Sequence, residues 1–228
     1  MSFNWTQLIP GVGHEYSHVA TAGIVSGALI LTGLGARAAL GSGERAIIPS
    51  DRFSIRGLFE LCTEFIVSTV DMVIGHHGRK YVPMFAAIFL FVLINNLVGV
   101  IPGMTPATEN INTTFGMGFF MFIFYVYQGI KETGTHFLKH LLGPIWWLAP
   151  LMLIIELISH FVRPLSLGLR LANVLGGDHM VVGTFLNLIP IGVPIPFYLL
   201  GIFVCFIQAF VFTLLSMVYI SLATASDH

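Results

Sequence analysis

Charge is what this chain has least of. Only 9% of its 228 residues are Asp, Glu, Lys or Arg, where a soluble globular domain carries about 25%. With 56% of the sequence apolar, so thin a polar coat cannot hold a fold in water, and the chain reads as a membrane protein. Neither sign is in surplus, since 10 Lys and Arg against 11 Asp and Glu leave a formal charge of −1. There is no excess of cations to neutralise phosphates, which excludes nucleic acid as a main partner. Cysteine is nearly missing. Cys62 and Cys205 lie far apart inside apolar runs, without the paired spacing of a metal or redox motif, so neither a disulfide framework nor a cysteine-based zinc site is expected. The opening MSFNWTQLIPGVGHEYSHV has no Lys or Arg and no short apolar core ending at a cleavage site; it does not read as a signal peptide. No internal repeat is visible.

What the chain has in quantity is long apolar runs. A spanning helix needs about 20 mostly apolar residues, and residues 20–40, 82–101 and 115–130 each fit one crossing. Residues 51–75 differ. Arg52, Arg56, Glu60, Glu64, Ser68 and Asp71 recur there at steps of four and three, which puts them on one stripe of a helix whose other face is apolar. Such a helix lies along the membrane interface. Residues 146–188 stay largely apolar past Pro150 and Pro164; as one helix they would be roughly 64 Å long, against a hydrocarbon core of about 30 Å. Unless the segment breaks at Pro164 or at Gly176 and Gly177, it must cross strongly tilted. After Pro190, Pro194 and Pro196, residues 197–223 return through the membrane. The expected fold is therefore all-α. Five crossings and one amphipathic interfacial helix form a single polytopic domain over residues 1–228, residues 1–19 make an outer segment, and the last two crossings make a long, strongly tilted helical hairpin.

Orientation follows from the basic residues, which favour short cytoplasmic loops. Arg37, Arg45, Arg52, Arg56, Arg79 and Lys80 follow the first span and Lys131 and Lys139 the third, whereas residues 1–18, 102–114 and 187–197 have none. The N-terminus is thus expected outside and the C-terminus in the cytoplasm.

Arg170 stands in the middle of the long segment, between LSLGL and LANVL. A charged side chain at membrane depth costs about 2.5–3.5 kcal/mol even on the lenient insertion scale, and such residues mark ion paths. Helical steps of about 100° place Glu156, Ser159, Arg163, Ser166, Arg170, Asn173 and Gly177 along one polar stripe. Ser, Asn and Gly also serve simply as glue between membrane helices, and that is the plainer account of the Ser and Gly positions. On the returning segment Gln208 is the strongly polar residue, in line with Gly201 and Cys205. If the two segments pair antiparallel about a turn near Pro190, Arg170 and Gln208 come to one depth and Gly201 lies opposite the neighbourhood of His179.

RPLSLGLRLANVLGGDH followed by IQAFVFTLLSMVYISLA closely resembles subunit a of F-type ATP synthases, the stator half of the membrane proton turbine, and PATENINTT resembles the loop between that family's second and third crossings. The resemblance runs from about residue 83 to the end. It implies that Arg170 is the essential stator arginine, that Gln208 is its neighbour on the last helix, and that Glu156 and His179 belong to the proton half-channels. Asn173 follows the arginine by three residues where the family usually places Asn at four, and Gly201 stands where some relatives carry His or Glu, which leaves the titratable duty to His179. Asn173 and Ser166 remain on the polar stripe. The resemblance implies a subunit c ring, a subunit b peripheral stalk, the remaining ATP synthase subunits and membrane lipid as partners, a bacterial inner membrane as location, no cofactor, and ATP chemistry carried out on other subunits.

Two other readings compete. A secondary transporter also uses broken helices and buried charge, but usually shows two related halves. His14-Glu15-Tyr16-Ser17-His18 matches the H-E-x-x-H pattern of zinc proteases, although it follows a Pro-Gly-Val-Gly stretch and has no third ligand at a convincing spacing. His136 and His140 are four apart but follow Lys131, as solvated interfacial residues do; Asn95 and Asn96 read as helix glue and Glu109 as a solvated loop residue. The protein with His14→Ala and His18→Ala should keep coupled proton transport, and elemental analysis of the purified native chain should find no stoichiometric zinc. One zinc per chain would favour the protease reading.

Overall fold

The computed structural model describes residues 16–39, 55–101, 103–134, 149–188 and 194–224, and every extended element among them is a helix. In chain order these are α1 (Ser17–Ala39), α2 (Ile55–Val73), α3 (Val82–Val100), α4 (Ile111–Thr133), α5 (Ala149–Leu188) and α6 (Pro194–Thr224), with short 3₁₀ turns at His76–Tyr81 and Ala107–Glu109. α3 opens with Pro83 in its first turn, where the missing N–H is no loss. Asn110 caps α4 by accepting the backbone N–H of Asn112 at 2.9 Å, and Gly134, at φ 56°, closes it because only glycine enters that region cheaply.

α1, α3, α4 and α6 are each long and apolar enough to cross a membrane. α5 has the length to cross as well, with Arg163, Arg170, Asn173 and Asp178 set along its apolar sequence. Among the described residues, four of the five expected crossings are thus met by length and apolarity. α2 is the most strongly sided of the helices, as its charge spacing predicts. It buries Ile66 and Val70 and carries an Arg56 Nε to Glu60 Oε1 pair at 2.6 Å on its polar stripe, while Arg52 lies outside the described residues.

The core is aromatic and aliphatic. Phe85, Phe89 and Val92 of α3 meet Met121 and Tyr125 of α4, Leu167 and Leu171 of α5, and Phe212, Met217 and Ile220 of α6. The buried residues of α6 (Gly201, Cys205, Gln208, Ala209, Phe212, Thr213, Ser216, Met217, Ile220) fall singly or in adjacent pairs at steps of three or four, one stripe of a helix turned inward.

α5 runs unbroken through Pro164 and through Gly176 and Gly177, so its 40 residues form a rod about 60 Å long. It lies antiparallel to α6. The Arg163 guanidinium sits over the Tyr219 ring, 5.4 Å from its centre, and at the other end Phe185 and Phe197 stack with ring centres 4.4 Å apart. α5 approaches α4 closely at Gly168, where an added methyl group would stand 3.0 Å from the Thr114 carbonyl oxygen and 3.2 Å from the Phe115 Cα. Both are backbone atoms, which cannot swing aside.

Gly168→Ala should therefore push the two helices apart and cost about 1–3 kcal/mol, read as a lower thermal midpoint of the detergent-solubilised protein; a native midpoint would mean that the helices part freely. Phe185→Cys and Phe197→Cys together, with Cys62→Ser and Cys205→Ala, should form a disulfide under mild oxidation. Absence of that crosslink beside an efficient one two turns away would refute the pairing of α5 with α6.

Candidate functional site

The polar residues of α5 divide the helix lengthwise. Leu167, Gly168, Leu171 and Ala172 are buried against the bundle, whereas Arg170, Asn173 and Gly177 are exposed and Ser166 is half-buried. Ser166 spends its hydroxyl locally, donating to the Arg163 carbonyl at 3.0 Å. Of the expected stripe, Arg170, Asn173 and Gly177 lie on the open side, whereas Arg163 packs over Tyr219 of α6. Among the described residues Arg170 has no hydrogen bond or ion pair. The side chains of Glu156 and His179 lie outside the described residues, as do residues 1–15, 135–148 and 225–228, and with them His14, Glu15, His136 and His140.

Gln208 is 5% exposed and sits on the inward stripe of α6 with Gly201 and Cys205. The facing pairs 163 with 219 and 178 with 201 place Arg170 level with about residue 210, so the arginine and the glutamine come within one turn in depth. They do not touch. Arg170 looks outward and Gln208 inward, a separation that matched depth alone does not reveal.

Away from the stripe, polar groups join three elements. Thr108 Oγ1 donates to Asn96 Oδ1 at 2.8 Å, and Asn96 Nδ2 donates to the Cys205 carbonyl at 3.2 Å. Thr108 and Asn96 are fully buried, so the bridge ties the Ala107–Glu109 turn through α3 to α6. Asn96 is helix glue, as its place in an apolar run suggests. Asn95 donates to the Phe91 carbonyl at 2.8 Å, while its Oδ1 is buried with no hydrogen-bond partner among the described residues. Glu109 departs from expectation. It is half-buried, with its Cγ 3.9 Å from where a Cβ on Gly176 would stand, because the Ala107–Glu109 turn folds onto α5 instead of standing in solvent. His18 of α1 reaches the same end, with Nδ1 3.4 Å from Asn110 Nδ2.

The opposite end is fastened by charge. Arg79 donates to both oxygens of Asp71, at 3.0 and 2.6 Å, and these bonds hold that carboxyl below its usual range. Lys80 pairs with Glu132, which also accepts from the Tyr81 hydroxyl at 2.8 Å. The His76–Tyr81 turn that leads into α3 is thereby tied to α2 and to α4 at the end where the basic residues gather. Sequence reasoning passed over one residue at the other end: Asp178, whose carboxylate rests against Gly201. Its signal was a carboxylate inside an apolar run, overlooked beside His179.

Residues 16–221 match the family described as ATP synthase A chain. The chain is 64% identical over 229 residues to ATP synthase subunit a of Bdellovibrio bacteriovorus, covering all of both chains. It is 44% identical to ATP synthase subunit a of Trichlorobacter lovleyi, over 79% of this chain and 77% of that one, and 45% identical to that of Geobacter sulfurreducens, over 76% of each. Taken with an all-helical bundle whose long helix carries a central arginine, these matches establish that the chain belongs to the ATP synthase subunit a family.

Proposed function

We propose that this chain is the proton-conducting stator of an F-type ATP synthase in a bacterial inner membrane. α1, α3, α4, α5 and α6 make five crossings and α2 lies along the interface; α5 and α6 form the tilted hairpin that a ring of c subunits passes, with the subunit b stalk and the remaining subunits holding the chain in place. The N-terminus is outside and the C-terminus cytoplasmic, in keeping with Arg79, Lys80 and Lys131 at one end of the bundle. Residues 1–228 form one polytopic domain, with residues 1–19 as its outer segment.

One observation carries this reading: Arg170 is exposed at mid-length on a helix whose other side is buried. A guanidinium keeps its proton, and burying it unpaired in hydrocarbon is costly, so the opposite charge must come from a partner that covers the stripe. A rotor carboxylate suits that place. As each one arrives, Arg170 favours its ionised form and blocks direct proton flow between two half-channels. Protons then ride the ring, and the membrane potential, about 2.3 kcal/mol per charge per 100 mV, becomes torque. Gln208 stands one turn in depth from the arginine, Glu156 and His179 serve the half-channels, and Asn173 and Ser166 line the stripe. The chain performs no ATP chemistry itself.

In membrane vesicles holding the whole complex, Arg170→Ala should abolish ATP-driven proton pumping and open a passive leak. Arg170→Lys should rescue poorly, since an ammonium lacks the planar fork and gives up its proton more readily when desolvated. Native pumping by either variant would sink the reading.

A further inference from the structure

α3 and α4, both long and apolar enough to cross a membrane, leave a groove between them. It has a volume of about 340 Å³, with Ile88 and Phe91 of α3 and Gly116 and Phe120 of α4 as walls and Met121 and Phe212 as a buried floor. Its mouth faces outward, since Gly116 and Phe120 are exposed. Gly116 makes the room: a methyl group added there would meet nothing within 4 Å. These walls are apolar, so the space suits a hydrocarbon chain and gives water no partners. Aromatic rings join the groove to the basic end of the bundle. Phe120 stacks on Phe124 with ring centres 6.4 Å apart, and Phe124 meets Tyr81 edge-on at 6.1 Å.

Helical steps of about 100° put Met117, Phe120, Phe124, Tyr127 and Lys131 along one line of α4. Lys131 ends that line, exposed, with its ammonium 5.9 Å from the centre of the exposed Tyr127 ring. Among the described residues it has no ion pair, whereas Arg79 is engaged by Asp71 and Lys80 by Glu132. Lysine and tyrosine at the end of a spanning helix are side chains that meet lipid headgroups. Phe120 lies eleven residues from Lys131, or about 16 Å along the axis, close to half of the roughly 30 Å hydrocarbon core. A chain hung from a phosphate at Lys131 therefore ends in the groove.

We propose that an anionic phospholipid is seated along this line, with its phosphate at Lys131 and Tyr127 and one acyl chain in the groove between α3 and α4. The seat depends on these two helices crossing the membrane and not on any role of Arg170. Charge selects the headgroup. One lysine near a membrane surface favours an anionic lipid by about fivefold, whereas a zwitterionic lipid carries its own ammonium beside the phosphate. Shape selects the chain. A helix, about 10 Å across, is too bulky for a space of this volume, while a flexible chain fills it against Met117 and Met121, whose own side chains adapt to an irregular neighbour.

Vesicles holding the complete ATP synthase test this with two probes, a phosphatidylglycerol and a phosphatidylcholine that carry the same diazirine near the end of one acyl chain. After illumination, peptide mass spectrometry locates the label. Phosphatidylglycerol should mark Phe91, Met117 and Phe120 about fivefold more than phosphatidylcholine does. Lys131→Gln should bring the two lipids level. Gly116→Leu, whose new side chain points into the empty groove, should take labelling at these positions to background, while membrane-bound ATPase activity reports assembly. If Gly116→Leu does not assemble, the two lipids on the native complex and on Lys131→Gln decide. Equal labelling of the native chain by both lipids would mean that bulk hydrocarbon merely wets the groove, and would overturn the proposal. So would a preference that survives Lys131→Gln, labelling that survives Gly116→Leu, or no label from either lipid, the mark of another protein covering this face. The readout is labelling and not pumping, so its failure leaves the stator reading standing, and normal pumping by Arg170→Ala leaves the lipid seat standing.

Discussion

Hydrocarbon does not solvate a guanidinium, and the placing of Arg170 follows from that constraint. A helix that carries such a group outward must be gripped firmly on its other side. α5 is gripped by Leu167, Leu171 and Ala172 and by the backbone contact at Gly168, all within three residues of the arginine. The bundle of α3, α4 and α6 supplies the surface for that grip, so the aromatic core and the polar stripe are two sides of one arrangement.

Water is also missing as a partner for hydroxyl groups, and the chain answers this locally. Thr21, Ser26, Thr32, Thr63, Thr69, Thr184, Thr213, Ser216 and Thr224 each donate to the carbonyl four residues earlier. Side chains so occupied make no demand on neighbouring helices. Among the described residues, bonds between elements gather at the two ends: the Thr108–Asn96–Cys205 bridge and the His18–Asn110 contact at one, and at the other Ser221 donating to the Val73 carbonyl at 3.2 Å beside the ion pairs of Asp71 and Glu132.

The helices were legible in the sequence because apolar runs and charge spacing are local signals. The sidedness of α2 could be read from Arg56, Glu60, Glu64 and Asp71, and the central place of Arg170 from its setting. The antiparallel run of α5 and α6 followed from matching Arg170 to Gln208 about a proline-rich turn. Contacts were not legible. Nothing in LSLGLR announces that Gly168 meets the backbone of α4, and matched depth does not say that Arg170 and Gln208 face different ways. Glu109 looked like a solvated loop residue because the fold of its turn onto Gly176 joins positions 67 apart in sequence. The seat of Asp178 was hidden for the same reason, since it is a glycine on another helix.

The approach at Gly168 also has a mechanical side. Side chains are the compliant material of a protein, able to change rotamer under load. Two residues from Arg170, α5 rests on α4 with peptide against peptide, so a sideways push on the guanidinium reaches a neighbouring helix axis through bonds of fixed length and angle. The glycine that seems to be merely absent bulk thus removes the compliant layer that would otherwise separate two helix axes at this point.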